Sequence, residues 1–366
     1  MKMHIKSFFC VLIVAGTIIT TGCGEKKTDN DSEELMVNMN KLKETLMTGV
    51  EIPKEAPLVV RPFDSFVDGQ WAGNAVAYGC YRAGQAPGQK GPSNEELLED
   101  LQIIVQHWHM IRVYGADDDT RRILEVIDGN KLPLKVIQGV WLQPEENQPE
   151  KRAENIQQMM LAIEFANQYP DIINALSVGN ETRVFWSAHQ MNPVNLVRYL
   201  RAARQSVTVP VTTADDYLYW NKEESKSIAD EIDFVFTHIH PLWNGKTLDI
   251  AISWMDSVYT DLKQLHPERQ IILGETGWAT NYNAAKTGDG QQGSLIKGDV
   301  SLKAQEEFLV QMDQWLTKNQ ITSFLFEAFD ESWKGGPEPN EVEKNWGVYY
   351  EDRTPKESFV NYLKRK

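Results

Sequence analysis

The segment Ile172–Thr182 reads IINALSVGNET, and Gln270–Trp278 further along reads QIILGETGW. Each is an apolar run of strand composition that ends in a glutamate, Glu181 in the first and Glu275 in the second. Parallel β/α barrels present catalytic residues at the carboxyl ends of their strands. Two such carboxylates are the minimal machinery for cleaving a glycosidic bond. The two segments therefore predict a pair of acids at the mouth of a barrel.

Apolar strand-like runs alternate with amphipathic helical stretches from residue 74 onward. The alternation favours a closed parallel barrel over a doubly wound sheet, so we predict an α/β fold with a single (β/α)8 TIM barrel over residues 58–366. The predicted strands are Ala75–Tyr81, Met110–Tyr114, Leu134–Leu142, Ile173–Asn180, Val209–Thr213, Phe234–His240, Ile271–Glu275 and Ile321–Phe326. The predicted helices are Asn94–Trp108, Thr120–Asp128, Pro149–Tyr169, Pro193–Ser206, Glu223–Asp230, Asp249–Leu265, Leu302–Lys318 and Lys356–Lys364.

The N-terminal residues 1–22 have the layout of an export signal. Two lysines precede an apolar run that is too short to span a bilayer, which needs roughly 20 apolar residues. The sequence ITTGC at Ile19–Cys23 resembles a bacterial lipoprotein box, although Thr20 replaces the usual leucine. The resemblance implies a lipid on Cys23 and a protein anchored at the outer membrane or cell surface; secretion without lipid is the alternative.

Residues 23–57 are polar and charged, and we expect them to form a tether with at most a short helix near Leu35–Leu46. Of three cysteines, only Cys80 falls in the predicted barrel, so no internal disulfide is expected there. The formal charge of −15 disfavours nucleic acid and anionic membrane surfaces as partners. A neutral ligand, membrane contact through lipid only and a monomeric chain are the corresponding expectations.

Seven tryptophans fall at or after predicted strand ends. Indole rings pack well against the C–H faces of sugars in a wet cleft, and as a group they favour a carbohydrate ligand. For any single one, packing within a loop is an equally good interpretation. The seven are Trp141, Trp186, Trp220, Trp243, Trp278, Trp333 and Trp346.

His238 and His240 share one face of a predicted strand, as two metal ligands could. The sequence spacing supplies no carboxylate or thiolate that would complete a metal site. We therefore expect both histidines to form hydrogen bonds inside the barrel, and we expect neither metal nor cofactor in the chemistry.

A set of ordered motifs between Val76 and Lys356 resembles glycoside hydrolase family 17, the β-1,3-glucanase family. The motifs are AYGCY at Ala77–Tyr81, IRVYG at Ile111–Gly115, VGNE at Val178–Glu181, HIHPLW at His238–Trp243, GETGW at Gly274–Trp278, and FEAFDESWK followed by NWGVYY. The order of VGNE and GETGW is the specific part of the pattern. Either motif alone would be weak.

The resemblance implies a role for each matching residue. Glu181 resembles the general acid/base, Glu275 the nucleophile, and Asn180 the residue that hydrogen-bonds the sugar 2-hydroxyl. His240 stands where plant members have a tyrosine near the nucleophile. Glu331 and Lys334 match a charged pair near the cleft, and Glu343 matches a further acid. The residues expected to bind substrate are Tyr81, Tyr114, Asn180, His240, Trp243, Trp278, Glu331, Lys334 and Glu343.

A retaining glycosidase needs one ionised carboxylate and one protonated acid about 5 Å apart. Negative charge on Glu275 should raise the pKa of Glu181 and keep it protonated. We therefore expect a retaining, internally cutting hydrolase of laminarin-like β-1,3-glucan. The alternatives are a transglycosylase on the same site and a surface glycan-binding lipoprotein without catalysis.

Overall fold

The computed structural model describes residues 29–67 and 69–366, with side chains from Val37 onward. The predicted signal and Cys23 lie outside the described residues. The chain divides into two compact units, Met1–Lys41 and Leu42–Lys366, and the second contains the entire barrel. In the described part of the chain no helix has both the length and the apolar character needed to cross a membrane.

Eight parallel strands close into a barrel in which each strand pairs with its neighbours in chain order and the last pairs with the first. The predicted (β/α)8 fold is therefore confirmed. The barrel strands are β3 (Asn74–Ala77), β4 (Met110–Arg112), β5 (Lys135–Val140), β6 (Ile173–Asn180), β7 (Val211–Asp216), β8 (Phe234–His238), β9 (Gln270–Thr276) and β10 (Ser323–Leu325).

The helices that follow the barrel strands surround the barrel, and several begin at side chains that accept backbone N–H groups. Ser93 and Glu96 form a reciprocal capping box at the helix Asn94–Ile104, and Asp117, Asn192 and Ser301 cap the helices Asp118–Asn130, Pro193–Ser206 and Leu302–Asn319. The helices are α1 (Asp29–Thr48), α2 (Asn94–Ile104), α3 (Asp118–Asn130), α4 (Pro149–Gln168), α5 (Pro193–Ser206), α6 (Tyr217–Trp220), α7 (Lys226–Ala229), α8 (Leu248–Leu265), α9 (Gln292–Leu295), α10 (Leu302–Asn319) and α11 (Glu357–Arg365), with 3-10 turns at Glu223–Ser225 and Val342–Lys344.

A short antiparallel hairpin, β1 (Phe66–Val67) paired with β2 (Gln70–Trp71), closes the amino-terminal end of the barrel. Phe63, Val67 and Ala72 are buried in one cluster with side chains from the barrel strands. Phe63 packs against Phe234 with ring centroids 4.8 Å apart. The sequence analysis did not anticipate this hairpin, whose apolar side chains pack into the barrel interior at the end opposite the loops that follow the strands.

Residues 49–61 form a strap that packs along α5 instead of extending as a free tether. Ile52 is 3% exposed, and its carbonyl accepts a hydrogen bond of 2.8 Å from Arg201. Glu55 pairs with Arg204 at 2.9 Å, and Arg204 also contacts the buried Asp233 at 2.6 Å. The packed unit therefore begins at Leu42, earlier than the predicted boundary at residue 58. Charged residues are interspersed with the apolar ones in this segment, so the sequence pattern did not reveal the packing.

Candidate active site

Glu181 lies directly after β6 in a backbone conformation that favours glycine. Its φ is +54° and that of Gly179 is +88°, so two of three consecutive residues are in the left-handed region. The amide of Glu181 donates to Ala214 O at 2.8 Å. The buried carboxylate of Asp215 accepts the next amides, Arg183 N at 2.7 Å and Val184 N at 3.1 Å. Strand β7 thus holds the sharp corner that presents the acid.

Glu275 lies within β9 and accepts hydrogen bonds on both oxygens. Tyr114 and Arg112 both donate to Oε1 at 2.9 Å, and His240 contacts Oε2 at 3.2 Å. The Arg112 guanidinium also lies over the Tyr114 ring at 4.7 Å, which fixes its plane. His240 therefore contacts the carboxylate oxygen of Glu275 that Tyr114 and Arg112 leave unoccupied.

The two carboxylates face each other across His238. An oxygen of Glu181 and an oxygen of Glu275 lie within 4.8 Å of one another. His238 Nδ1 is 2.9 Å from Glu181 Oε1, and His238 Nε2 is 2.9 Å from Arg112 Nη1. Because Arg112 can only donate, Nε2 accepts and the imidazole proton is on Nδ1. His238 therefore donates to Oε1 of Glu181, leaving Oε2 as the oxygen that can carry a transferable proton.

Burial, followed by the negative charge of Glu275, raises the pKa of Glu181 to about 8. Burial of Glu275 acts in the same direction, but its interactions with His238, Arg112 and His240 outweigh burial and hold the Glu275 pKa well below its usual range. Burial lowers the pKa of His238 to about 3, so its imidazole is neutral. At neutral pH the site combines a protonated Glu181 with an ionised Glu275. The predicted separation of the two pKa values agrees with this, although burial contributes more than charge repulsion.

Glu181, His238 and Glu275 each offer one ligand atom, and the three atoms lie within 4.8 Å of one another. The carboxyl ends of β6 and β9 place two carboxylates beside His238, which sequence spacing could not show. Arg112 lies 2.9 Å from both His238 Nε2 and Glu275 Oε1. A cation in this group would face the guanidinium charge, so we interpret the group as a hydrogen-bond network.

Asn180 precedes the acid, and its amide orientation is fixed. Its Oδ1 accepts from Arg112 Nη2 at 2.6 Å. The side-chain carbonyl oxygen is therefore occupied by Arg112, and the amide NH2 is the group that can donate to a sugar hydroxyl. This geometry suits the 2-hydroxyl contact that the resemblance implies.

A buried charged cluster lies beside the pair, built from the residues after β10. Lys334 Nζ is 2.6 Å from Glu331 and 2.5 Å from Glu327, and both glutamates are 1% exposed. The predicted Glu331–Lys334 pair is present, and Glu327 is an additional member. Glu343 is partly exposed, and burial together with the charges of Glu181 and Glu275 raises the pKa of its carboxyl group, against the charges of Lys334 and His240.

Tyr81 and Trp333 form an aromatic corner on this side of the mouth. Their rings meet edge to face with centroids 5.9 Å apart, and Trp333 remains 41% exposed. Trp333 Nε1 donates to Glu331 Oε1 at 2.9 Å. A Cβ on Gly79 would lie 2.3 Å from that same oxygen, so the AYGCY motif needs glycine there. Tyr81 itself is 9% exposed, so Trp333 supplies the exposed part of this corner.

The predicted tryptophans divide into exposed and buried groups. Trp141 and Trp243 are partly exposed, and Trp186 and Trp333 are exposed. Trp278 is 1% exposed and packs against Phe308, and its Nε1 donates to Asp299 O at 2.9 Å. Its predicted role in sugar binding is therefore wrong, because the segment around Asp299 covers the ring. Trp220 is buried in the same way, with its Nε1 donating to Phe236 O.

Trp346 is buried yet borders the catalytic pair. Its ring lies 5.3 Å from that of His240 and 5.7 Å from that of Phe326. Among the described residues, neither Trp346 Nε1 nor His240 Nδ1 has a hydrogen-bond partner. A buried polar atom without a partner is costly, so a bound sugar hydroxyl would relieve that cost.

Sequence reasoning missed Arg112, Asp215 and Glu327, all of which contact the site or its supports. Arg112 stands within the IRVYG motif, and a charged residue in a fully buried strand is a signal that could have been followed. Asp215 was assigned to the loop after a shorter strand. Glu327 lies in FEAFDESWK beside residues that were identified.

Comparison with known proteins gives consistent results. The described chain between residues 75 and 347 matches the model of the BtgE/BtgC glycoside hydrolase domain. A btgC protein of Aspergillus niger, whose name provisionally assigns it to the glucan endo-1,3-beta-glucosidases, is 28% identical over 71% of this chain and 39% of its own length. This chain thus spans about two fifths of that relative.

Two solved structures share the fold. An endo-laminarinase from Formosa has a TM-score of 0.66 and 21% identity, covering 80% of this chain and 86% of its own. An active-site mutant of the Rhizomucor miehei beta-1,3-glucanosyltransferase, in complex with laminaritriose, has a TM-score of 0.62 and 20% identity over 78% of this chain and 96% of its own. Since the family model matches most of the sequence, including Glu181 and Glu275, this chain belongs to the BtgE/BtgC glycoside hydrolase domain family.

Proposed function

We propose that this protein is a retaining glycoside hydrolase that cleaves laminarin-like β-1,3-glucan internally. The observation that carries the proposal is the Glu181–Glu275 pair, with carboxylate oxygens within 4.8 Å and opposite protonation states. Retaining enzymes hold their carboxyl groups about 5 Å apart, whereas inverting enzymes leave roughly 6.5–9.5 Å for a water. The names of the Aspergillus niger relative and of the Formosa neighbour support the choice of glucan.

Two displacements follow from the contacts. Glu275 Oε2, which accepts fewer hydrogen bonds than Oε1, attacks the anomeric carbon while Glu181 Oε2 gives its proton to the departing glycosidic oxygen. A covalent glycosyl–Glu275 ester and a free sugar chain result. The ionised Glu181 then takes a proton from water as the water oxygen attacks the same carbon. The ester bond breaks, Glu275 regains its charge and the product keeps the β-configuration.

Purified protein incubated with laminarin, cellulose and pustulan tests the substrate, with products resolved by chromatography. We expect laminarin to yield a range of short oligosaccharides and the other two to remain intact. A proton NMR time course should show the β-anomer first. Initial α-anomer, or cleavage of cellulose in preference to laminarin, would contradict the proposal.

We further propose that the protein is exported and lipid-anchored through Cys23 in a bacterial envelope. The support is the layout of residues 1–23, with two lysines, an apolar run and the Gly22–Cys23 pair. One acyl chain gives only marginal attachment, so stable anchoring requires more than one. Wild type should fractionate with membranes and Cys23→Ala should be released. Equal solubility of the two would refute the anchor.

A further inference from the structure

Two large aromatic side chains stand exposed on the loop that begins at the catalytic acid. Phe185 is 66% exposed and Trp186 is 49% exposed, at the tip of the segment 182–192 between β6 and α5. The only polar group over either ring that the described structure records is Lys222 Nζ, 5.4 Å from the Phe185 centroid. Exposed aromatic pairs of this kind mark binding surfaces more often than packing.

The loop that carries these rings is held in one conformation. Met191 N donates to Thr182 O at 2.9 Å, and Gln190 Nε2 donates to Val184 O at 2.9 Å. Arg183 donates to Met191 O across the base of the loop. Asp215 holds the amides at its start. The exposure of Phe185 and Trp186 is therefore a feature of a braced loop.

The loop lies on the leaving-group side of the scissile bond. Glu181 protonates the departing oxygen, so the sugar chain that leaves must lie beside the strand that carries Glu181. In the ring of eight strands, β6 stands opposite β10, whose loop carries the exposed Trp333. Trp141, from the loop after β5, meets His189 of the same braced loop with centroids 4.7 Å apart. Aromatic surfaces thus stand on both sides of the catalytic pair.

We propose that Phe185 and Trp186 form a platform for the sugar chain on the leaving-group side, and that this platform also holds an incoming glucan chain as acceptor. The inference rests on the proposed function and deepens it. The ligand is a β-glucan oligosaccharide, whose ring C–H faces stack on the two aromatic side chains. Such an occupant would give the enzyme transferase activity beside hydrolysis.

The transfer step uses the groups already described. A hydroxyl of the bound acceptor attacks the anomeric carbon of the glycosyl–Glu275 ester, and the ionised Glu181 takes the hydroxyl proton. The new glycosidic bond forms as the ester bond breaks, and Glu275 leaves as a carboxylate. No other reactant is needed. A chain held on the platform competes with water by proximity, so transfer increases with oligosaccharide concentration.

The test uses the full chain, the double variant Phe185→Ala/Trp186→Ala and the control Phe66→Ala. Phe66 is a 49% exposed aromatic side chain on the β1–β2 hairpin, at the end of the barrel opposite the loop that carries Phe185 and Trp186. Each protein is given laminaripentaose at low and high concentration, and products longer than the substrate are measured against shorter ones. A second substrate, β-laminaribiosyl fluoride, has a leaving group that fills no sugar subsite.

We expect the double variant to lose about tenfold in kcat/KM on laminarin and at least about fivefold in the ratio of transfer to hydrolysis. Its release of fluoride should stay within about twofold of wild type, since the platform does not touch the glycone, and Phe66→Ala should match wild type throughout. An unchanged transfer ratio, or a wild type that never transfers, would overturn the platform. A wild type inactive on both substrates would overturn the proposed function and the platform with it.

Discussion

Glu181 and Glu275 are identical side chains, and their surroundings give them opposite protonation states. Glu275 accepts from Tyr114, Arg112 and His240, whereas the one side-chain contact recorded for Glu181 among the described residues is His238. Charge-assisted hydrogen bonds favour the ionised form of a buried carboxylate, and burial without them favours the neutral form. The acid and the nucleophile are therefore distinguished by the number and charge of their donors.

The pKa of Glu181, raised to about 8, sets the alkaline limit of activity. Glu181 must be protonated to act as the acid, so kcat/KM should fall as pH rises through about 8. The low pKa of Glu275 keeps the nucleophile ionised across the neutral range. Glu181→Gln should lose most of the rate on laminarin together with the alkaline limb. Measured pH profiles of the two proteins check this. A bell-shaped profile that keeps its alkaline limb in the variant would mean that another residue is the general acid.

Tyr114→Phe removes one of two donors to Glu275 Oε1 while leaving the ring in place. A hydrogen bond to a charged group contributes about 1.5–3 kcal/mol, so we expect kcat to fall at least about tenfold. Tyr199→Phe is a matched control, because its hydroxyl donates to the buried Glu145 at 2.7 Å outside the catalytic contacts. Steady-state kinetics should show a loss only for Tyr114→Phe. Equal losses would mean that the Tyr114 effect is structural.

At the scale of elements, the loop after β6 and strand β7 act together. The chain turns at Glu181 through a left-handed conformation that costs on the order of 1 kcal/mol for a residue with a side chain. Asp215 compensates by accepting the amides that follow. Burial raises the pKa of Asp215, which reflects the unfavourable free energy of burying an ionised carboxyl group at this position.

Asp215→Asn tests this coupling, because the amide keeps one acceptor oxygen and replaces the other with a donor that faces a backbone N–H. We expect Glu181 to shift, with kcat lower by about tenfold to a hundredfold and little change in KM. Steady-state kinetics will show the change. A variant that is less stable but has wild-type kcat would leave Asp215 with a purely structural role.

Strands β6 and β7 show where sequence patterns predict the structure correctly and where they do not. Strand β6 matches its predicted bounds because eight mostly apolar residues precede a glutamate. Strand β7 was predicted to end at Thr213, because Ala214–Asp215–Asp216 has turn composition. The strand instead continues to Asp216, because backbone amides donate hydrogen bonds to the buried carboxylate of Asp215. The prediction that Trp278 binds sugar was wrong for a different reason. The exposure of a tryptophan after a strand depends on which loop packs over it, and the sequence pattern does not show this.

For the whole molecule, closure of the barrel turns a list of motifs into a site. Arg112 on β4 donates hydrogen bonds to Asn180 on β6 and to Glu275 on β9. These three residues are far apart in the sequence, and closure of the barrel brings them together. The order of VGNE and GETGW predicted the two acids, because each follows its own strand. Contacts across the barrel have no sequence spacing to reveal them, so the network around His238 required the structure.

The strap offers a prediction about the extent of the folded unit. Leu46 and Ile52 are 1% and 3% exposed, and each buried aliphatic side chain contributes about 1.5–3 kcal/mol. A chain that begins at residue 58 loses both, and it also loses Glu55 from Arg204. A chain that begins at Leu42 keeps all three. We expect the Leu42 chain to retain the melting temperature and activity of the longer protein, and the residue-58 chain to melt several degrees lower, since 1 kcal/mol corresponds to about 2–4 °C in domains of 150–250 residues.

Arg204→Met in the Leu42 chain separates the ionic part of this effect from the apolar part. Arg204 contacts Asp233 at 2.6 Å, and removal of one partner from a buried pair costs about 3–5 kcal/mol because the other charge stays buried. Glu55→Gln affects a 38% exposed side chain and should change stability by less than about 1 kcal/mol. Thermal and urea unfolding of the four chains would rank them. If the residue-58 chain unfolds with the same midpoint as the Leu42 chain, the strap is a passive tether and the boundary predicted from sequence is correct.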